Sequence, residues 1–195
     1  MAMKIMDKSN GYEDFAASFI STRQQAIGAS SVRRWAKTLS PKATVLDLGC
    51  GTGIPVSKIL MDEGMLVYGI DASPTLVQTF HHNFPNTPVT CEAVEDSLFF
   101  ARQFDAIIAW GLLFLLPMDA QILVLRKAAD ALSTGGKLLF TAPSQAATWR
   151  DMMTSRTSTS LGTQAYKDLL AVWGLRLLEE FDDEGENHYY HAVKI

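Results

Sequence analysis

The sequence predicts an α/β fold, a doubly wound and mostly parallel sheet of about seven strands with helices on both faces and an antiparallel last strand. Three observations predict it. From Thr44 onward, short apolar runs alternate with segments of helical period, the order that joins parallel strands through crossovers. The first run ends in "VLDLGCGTG", Val45 to Gly53, where Gly49, Gly51 and Gly53 sit at every second position behind Asp47. Near the other end, only "DDEGEN" separates the last two apolar runs. That is too short for a crossover helix, so those two strands pair antiparallel.

The elements follow in order. The first 40 residues read as helical. Tyr12, Phe15, Ala16, Phe19 and Ile20 share the spacing of one helix face. A second helix spans Ser30 to Leu39 with Val32, Trp35 and Leu39 inward, and Ser40-Pro41 stops it. "ATVLDLG" is the first strand. "IPVSKILMDEG" is a helix, with Pro55 acceptable in its first turn and Gly64 just past its end. "MLVYGID" is the second strand, and Ser73 caps a helix that begins at Pro74 and turns Leu76, Val77 and Phe80 inward. "TPVTCEAV" and "FDAIIAW" are the third and fourth strands. A helix from Asp119 to Leu132 ends at "STGG", and "GKLLFTAP" is the fifth strand. "QAYKDLLAVWG" is the last helix, and "LRLLEEF" and "HYYHAVKI" are the last strands. Ser144 to Gly162, rich in Ser and Thr, shows no clean period and reads as a long irregular connection, at the ligand-binding edge of such a sheet.

With 195 residues the chain suits one domain, read as residues 1–195, a helical lid over 1–40 and an α/β core over 41–195. A net charge of −4 and the lack of a basic stripe argue against a DNA-binding protein. Cys50 and Cys91 form no CxxC pair and read as buried free thiols of a reducing compartment. The opening residues are too polar for a secretory signal, and no apolar run reaches the roughly 18 residues of a membrane span, so the expected location is cytoplasmic.

The glycine loop is not a dinucleotide fingerprint. In G-x-G-x-x-G the third glycine would stand at Ile54; here it comes one residue early, at Gly53. A P-loop is excluded because no Lys-Ser or Lys-Thr follows. Asp71, at the end of the second strand, stands where a carboxylate accepts both hydroxyls of a ribose. A nucleoside without a pyrophosphate fits both facts.

With "VYGIDAS", "CEAVEDSLFF", "FDAIIAWGLLFLLP" and "LSTGGKLLFTAP" following in order, the sequence resembles the class I S-adenosylmethionine-dependent methyltransferases, over roughly residues 41 to 143. The resemblance implies a Rossmann-like sheet and S-adenosyl-L-methionine as cofactor. It implies that Gly49 and Gly51 leave room for the methionine moiety against bare backbone, and that Cys50 between them belongs to the cofactor site. Asp47 then holds the loop or attracts the ligand ammonium, or else caps its own turn. Asp71 takes the ribose and Ala72 packs on the adenine. Val94 offers a backbone N–H to the ring and Glu95 a carboxylate to the exocyclic amine, in a register open across residues 92–96. Trp110 lines the methyl-transfer site or belongs to the core. Tyr12 near the sulfonium and Arg23 on the ligand carboxylate close the site from the N-terminal helix, the alternatives being a core residue and a surface charge.

Methyl transfer needs alignment more than a catalytic side chain. His188 and Tyr190 share one face of the last strand and are the catalytic candidates, while Tyr189 and His191 share the other, so no shared metal is expected. Opposite the cofactor, Trp110 to Phe114, the loop carrying Trp149, Arg150 and Met152, and His188 can meet around a small organic acceptor. The expected reaction is methylation of an O, N or S atom there. A protein or RNA acceptor, or a non-enzymatic adenosylmethionine-binding protein, is the alternative.

Overall fold

The computed structural model describes residues 7–22 and 27–195. Nine strands and six α-helices alternate through them. The strands are β1 (Thr44–Leu48), β2 (Leu66–Asp71), β3 (Val89–Cys91), β4 (Phe104–Ala109), β5 (Leu132–Thr141), β6 (Ala147–Arg150), β7 (Thr157–Ser160), β8 (Leu175–Asp182) and β9 (His188–Lys194). The helices are α1 (Ala16–Thr22), α2 (Ala29–Ala36), α3 (Val56–Asp62), α4 (Pro74–Asn83), α5 (Met118–Ala131) and α6 (Thr163–Val172).

Seven strands form one sheet in the order β3-β2-β1-β4-β5-β9-β8. The first five pair in parallel, and β9 runs antiparallel to both of its neighbours. The winding direction reverses between β1 and β4, the place where such sheets open a crevice for ligands. Residues one apart serve opposite faces, as the strand period of two requires. Leu46, Ile107, Leu138, Phe140 and Tyr190 join one core; Val45, Ile108, Leu139 and Tyr189 join the other, beneath α2 and α3. Burial on both faces explains why β1 and β4 read as continuous apolar runs. No helix among the described residues is long and apolar enough to cross a membrane.

Several elements differ from the expectation. The first helix begins at Ala16 rather than near Tyr12, and Phe15 and Ile20 remain about two-fifths exposed (40% and 42%). Only Ala16 of the expected stripe is fully buried. The "STGG" segment ends α5 but does not interrupt the chain's extension: β5 starts at Leu132, opposite Phe104, and resumes pairing at Lys137 after a register shift. Gly135, at φ 78, supplies the left-handed backbone of that irregularity. Ser144 to Gly162 contains an antiparallel hairpin, β6 with β7. β6 is largely exposed, and the residues that β7 buries, Ser158 and Ser160, are polar, so no hydrophobic alternation marks either strand. Cys91 is exposed, since β3 is a short edge strand; Cys50 is buried.

Candidate active site

A cavity opens at the carboxyl ends of β1, β2 and β4, with about 700 Å³ of atom-free space including its mouth. Its floor is the glycine loop. Gly49 and Cys50 both donate their N–H to the Ile70 carbonyl, at 2.8 and 3.0 Å, which ties the loop to the end of β2. Gly49 stands at φ 70, and a Cβ there would come within 3.0 Å of Leu112. Asp71 faces the cavity from β2. One of its oxygens accepts the Gly51 N–H and the other the Ser73 N–H, each at 2.8 Å. Burial pushes this carboxyl above its usual range, against the pull of those two N–H groups.

The loop sorts its neighbours by depth. Gly49 and Gly51 line the cavity; Asp47 and Cys50 do not. Asp47 is buried beneath, where Ser57 of α3 donates to it at 2.6 Å. The Cys50 thiol packs under β2, so that a Cβ on Gly69 would meet its sulfur at 2.8 Å. Burial and the nearby Asp47 and Asp71 carboxylates raise that thiol well above its ordinary value.

Ala72, Leu76, Val94, Leu115 and Leu116 give the cavity an apolar slot, and Glu95, next to Val94 in the chain, lines it too. The slot is anchored from outside by Lys127 of α5. Its ammonium donates to the carbonyls of Val94 (2.8 Å), Glu95 (3.0 Å) and Ser97 (2.5 Å) and lies 4.6 Å from the centre of the Phe99 ring. Tyr12 and Phe19 cover the cavity from the N-terminal segment, their rings 5.7 Å apart. That segment is clasped to α4 by Glu13, whose carboxylate accepts from Ser73 Oγ, from Thr75 Oγ1 at 2.7 Å and from Thr75 N at 3.1 Å. Lys8, also in the lining, pairs with Asp96 at 2.6 Å and approaches Glu95 at 3.7 Å. Arg23 lies outside the described residues.

A second cavity adjoins on the far side of the loop after β4. Phe114, Trp149, Pro143, Thr141, Asp182, Asp183 and His188 are among its lining residues. The Phe114 and Trp149 rings lie 5.7 Å apart. His188 is held between two carboxylates, Nδ1 at 2.7 Å from Asp182 and Nε2 at 3.4 Å from Glu180. A hydrogen-bond chain spans the two cavities. Trp110 of the first donates its indole N–H to the Tyr189 hydroxyl at 2.7 Å, and Tyr189 donates to Asp183 of the second at 2.8 Å. Burial pushes the Tyr189 phenol far above its ordinary value, so it remains a donor.

Besides Asp47 and Cys50, three more expected residues lie apart from both cavities. Tyr190 is fully buried, stacked on Phe140 at 4.7 Å, with its hydroxyl 2.8 Å from Thr163 Oγ1. Met152 is fully exposed at the hairpin turn. Arg150 lies along the hairpin, its guanidinium 3.2 Å from Thr157 Oγ1. Sequence reading passed over Glu13, Lys127, Lys8 and Tyr189, because each meets partners far away in the chain, 60 residues for Glu13 and Ser73.

Fold and site together define a class I methyltransferase. The family model described as a methyltransferase domain matches residues 19–186, and the chain belongs to that family. No curated protein matches the sequence. Solved structures match the fold. The CcbJ methyltransferase of Streptomyces caelestis superposes with a TM-score of 0.78 at 17% identity, over 98% of this chain and 100% of that one. The magnesium protoporphyrin IX methyltransferase of Synechocystis, solved with bound SAM, gives 0.71 at 19% identity, over 93% and 85%. The 1,6-didemethyltoxoflavin-N1-methyltransferase of Burkholderia thailandensis, solved with bound 1,6-didemethyltoxoflavin and S-adenosylhomocysteine, gives 0.73 at 16% identity, over 100% and 92%.

The residues present fit an adenosylmethionine. Among the described residues, Lys8 is the cation in the lining, and it is committed to two acids, so no positive group awaits a pyrophosphate. Glu95 Oε2 is buried with no hydrogen-bond partner, an acceptor in want of a donor such as an exocyclic amine.

Proposed function

We propose that this enzyme binds S-adenosyl-L-methionine in the first cavity and methylates an O, N or S atom of a small organic molecule held in the second. The observation that carries the reading is the shared wall. The segment after β4 lines the first cavity with Trp110, Gly111 and Leu112, and the second with Phe114. Gly49 and Gly51 receive the amino-acid end, Asp71 the ribose hydroxyls, and the slot of Ala72, Val94 and Leu116 the base, with Glu95 at its amine. When bound, the cofactor supplies a methyl group made electrophilic by a sulfonium. The chain's part is to hold the acceptor in line with it, a contribution of up to roughly 7–11 kcal/mol in well-aligned systems. Tyr189 fixes the plane of Trp110 beside the transfer point. His188 acts as a fixed polar wall, since both its nitrogens already face carboxylates. The N-terminal segment serves as the lid. Two of the neighbours named above are, by name, methyltransferases of a magnesium protoporphyrin and of 1,6-didemethyltoxoflavin, which supports a small-molecule acceptor. Two unpaired cysteines support a cytoplasmic location.

Trp149→Ala and His188→Ala, made separately, test the acceptor site. Both are expected to leave S-adenosylhomocysteine affinity within a few-fold, measured by calorimetry, and to lower turnover of an acceptor found by screening. Full activity in both variants would move the acceptor elsewhere.

A further inference from the structure

We infer that Asn10, in the N-terminal segment, is a specificity residue for the cofactor's base: with Glu95 it reads the edge of an adenine and rejects a 6-oxo purine. The inference rests on the cofactor reading above.

Two buried polar atoms at this end of the molecule have no hydrogen-bond partner, Asn10 Nδ2 and Glu95 Oε2. Both residues line the cofactor cavity, and both also line the groove that continues from it past Leu115 and Leu116. Both residues therefore stand where the cavity meets that groove, whose lining includes neither Asp71 nor the glycine loop. One is a donor and the other an acceptor. A buried polar group left without a hydrogen bond is costly, so a donor and an acceptor lining one cavity call for a ligand that supplies both partners.

Adenine has the complementary pair on its edge. The exocyclic amine donates, and an adjacent ring nitrogen accepts. Glu95 takes the amine and Asn10 gives to the ring nitrogen. A 6-oxo purine inverts the pattern: its oxygen would face the Glu95 carboxylate, and its N1–H would face the Asn10 amide N–H.

The turn that carries Asn10 is braced on both sides. It occupies the left-handed region at φ 53, which Asn adopts more readily than most residues. On one side Asp7 accepts the N–H of Ser9 at 2.9 Å and of Gly11 at 3.1 Å. On the other, Glu13 is fixed to the start of α4. Lys8 stays on Asp96 and reaches the other side of Glu95 only at 3.7 Å, which leaves Oε2 to the ligand.

The test is calorimetric binding of S-adenosylhomocysteine and its deaminated analogue, S-inosylhomocysteine, to the full chain and to Asn10→Ala and Asn10→Asp. The wild-type protein is expected to prefer the adenine ligand by more than roughly tenfold. Asn10→Ala should lose roughly tenfold on the adenine ligand and little on the inosine one, so the preference narrows. Asn10→Asp, of the same shape but without the donor, should bind the adenine ligand no better than the alanine variant. Wild-type adenine affinity in Asn10→Ala, or an equal loss on both ligands, would overturn the inference, the second outcome marking a mere cover. Failure of the wild-type protein to bind S-adenosylhomocysteine at all would instead sink the cofactor reading, and this inference with it.

Discussion

At Asp71 each carboxylate oxygen accepts one backbone N–H and keeps a lone pair for a ligand hydroxyl. Such acceptance requires the ionised form, which burial disfavours. The sign follows from linkage. With its folded pKa raised, ionised Asp71 costs the ligand-free protein stability as pH rises through that pKa. Ribose hydroxyls bind the ionised form, so affinity holds at high pH and falls as pH drops through the raised pKa, sooner than for an ordinary carboxylate near about 4. S-adenosylhomocysteine titrations across pH should show that early loss. Asp71→Asn should remove that early loss, leaving only the later one from the N-terminal segment, and bind at least roughly tenfold more weakly, since bonds to a charged group are worth about 1.5–3 kcal/mol each. An unchanged affinity in Asp71→Asn would mean the ribose is held elsewhere. Asp71 was legible in the sequence because its place follows from one strand and the glycine loop before it. Asn10 was not, because what singles it out is an unpaired buried amide in a cavity it shares with the distant Glu95, which no local pattern connects to it.

The N-terminal segment and α4 show the same division at the level of elements. Ser73 and Pro74 announce the helix start, and Ser73 Oγ does accept the Leu76 N–H at 3.2 Å. The second cap, Glu13, comes from another element and places a carboxylate where a helix N-terminus favours one. Burial alone would raise the Glu13 pKa, but its hydrogen bonds from Ser73 and Thr75 outweigh that and hold it below the ordinary value. The clasp is thus intact above the unfolded-state pKa and is lost as pH falls through the lowered one. Acid therefore affects Asp71 first and the clasp afterwards. Glu13→Ala is expected to weaken S-adenosylhomocysteine binding by roughly three- to tenfold, about 1 kcal/mol, and to leave far-UV circular dichroism unchanged. Equal affinity would show that the segment covers the cavity without being fixed by this residue. The hairpin β6–β7 stayed unread for another reason. Its one buried face is made by Ser158 and Ser160, so it carries no apolar alternation, and it is held instead by Gln121, which donates to the Thr159 carbonyl at 2.8 Å.

For the molecule as a whole, cofactor binding and folding are one equilibrium. A ligand at a hundred times its dissociation constant adds about 2.7 kcal/mol. For a chain of this size that raises the melting temperature by roughly 5–10 °C. S-adenosylhomocysteine should produce that shift in a thermal scan, and NAD at the same concentration should not; the reverse result would restore a dinucleotide to the glycine loop. The parallel strands and the reversed last one were readable from alternation and from the brevity of "DDEGEN". The choice of neighbours was not, because apolar period says which residues are buried and nothing about which strand edge they meet. So β9 comes to lie between β5 and β8 without a local sign of it. That position dictates an order of assembly on the ribosome. β5 emerges with its outer edge bare, and β8 emerges with no neighbour to join, since it pairs with β9 alone. Until β9 follows, the nascent chain carries an open strand edge, the kind that recruits other chains. β9 is the keystone: a chain halted after Asp182 would already contain every described residue of the cofactor cavity and would still present β5 as a template for aggregation.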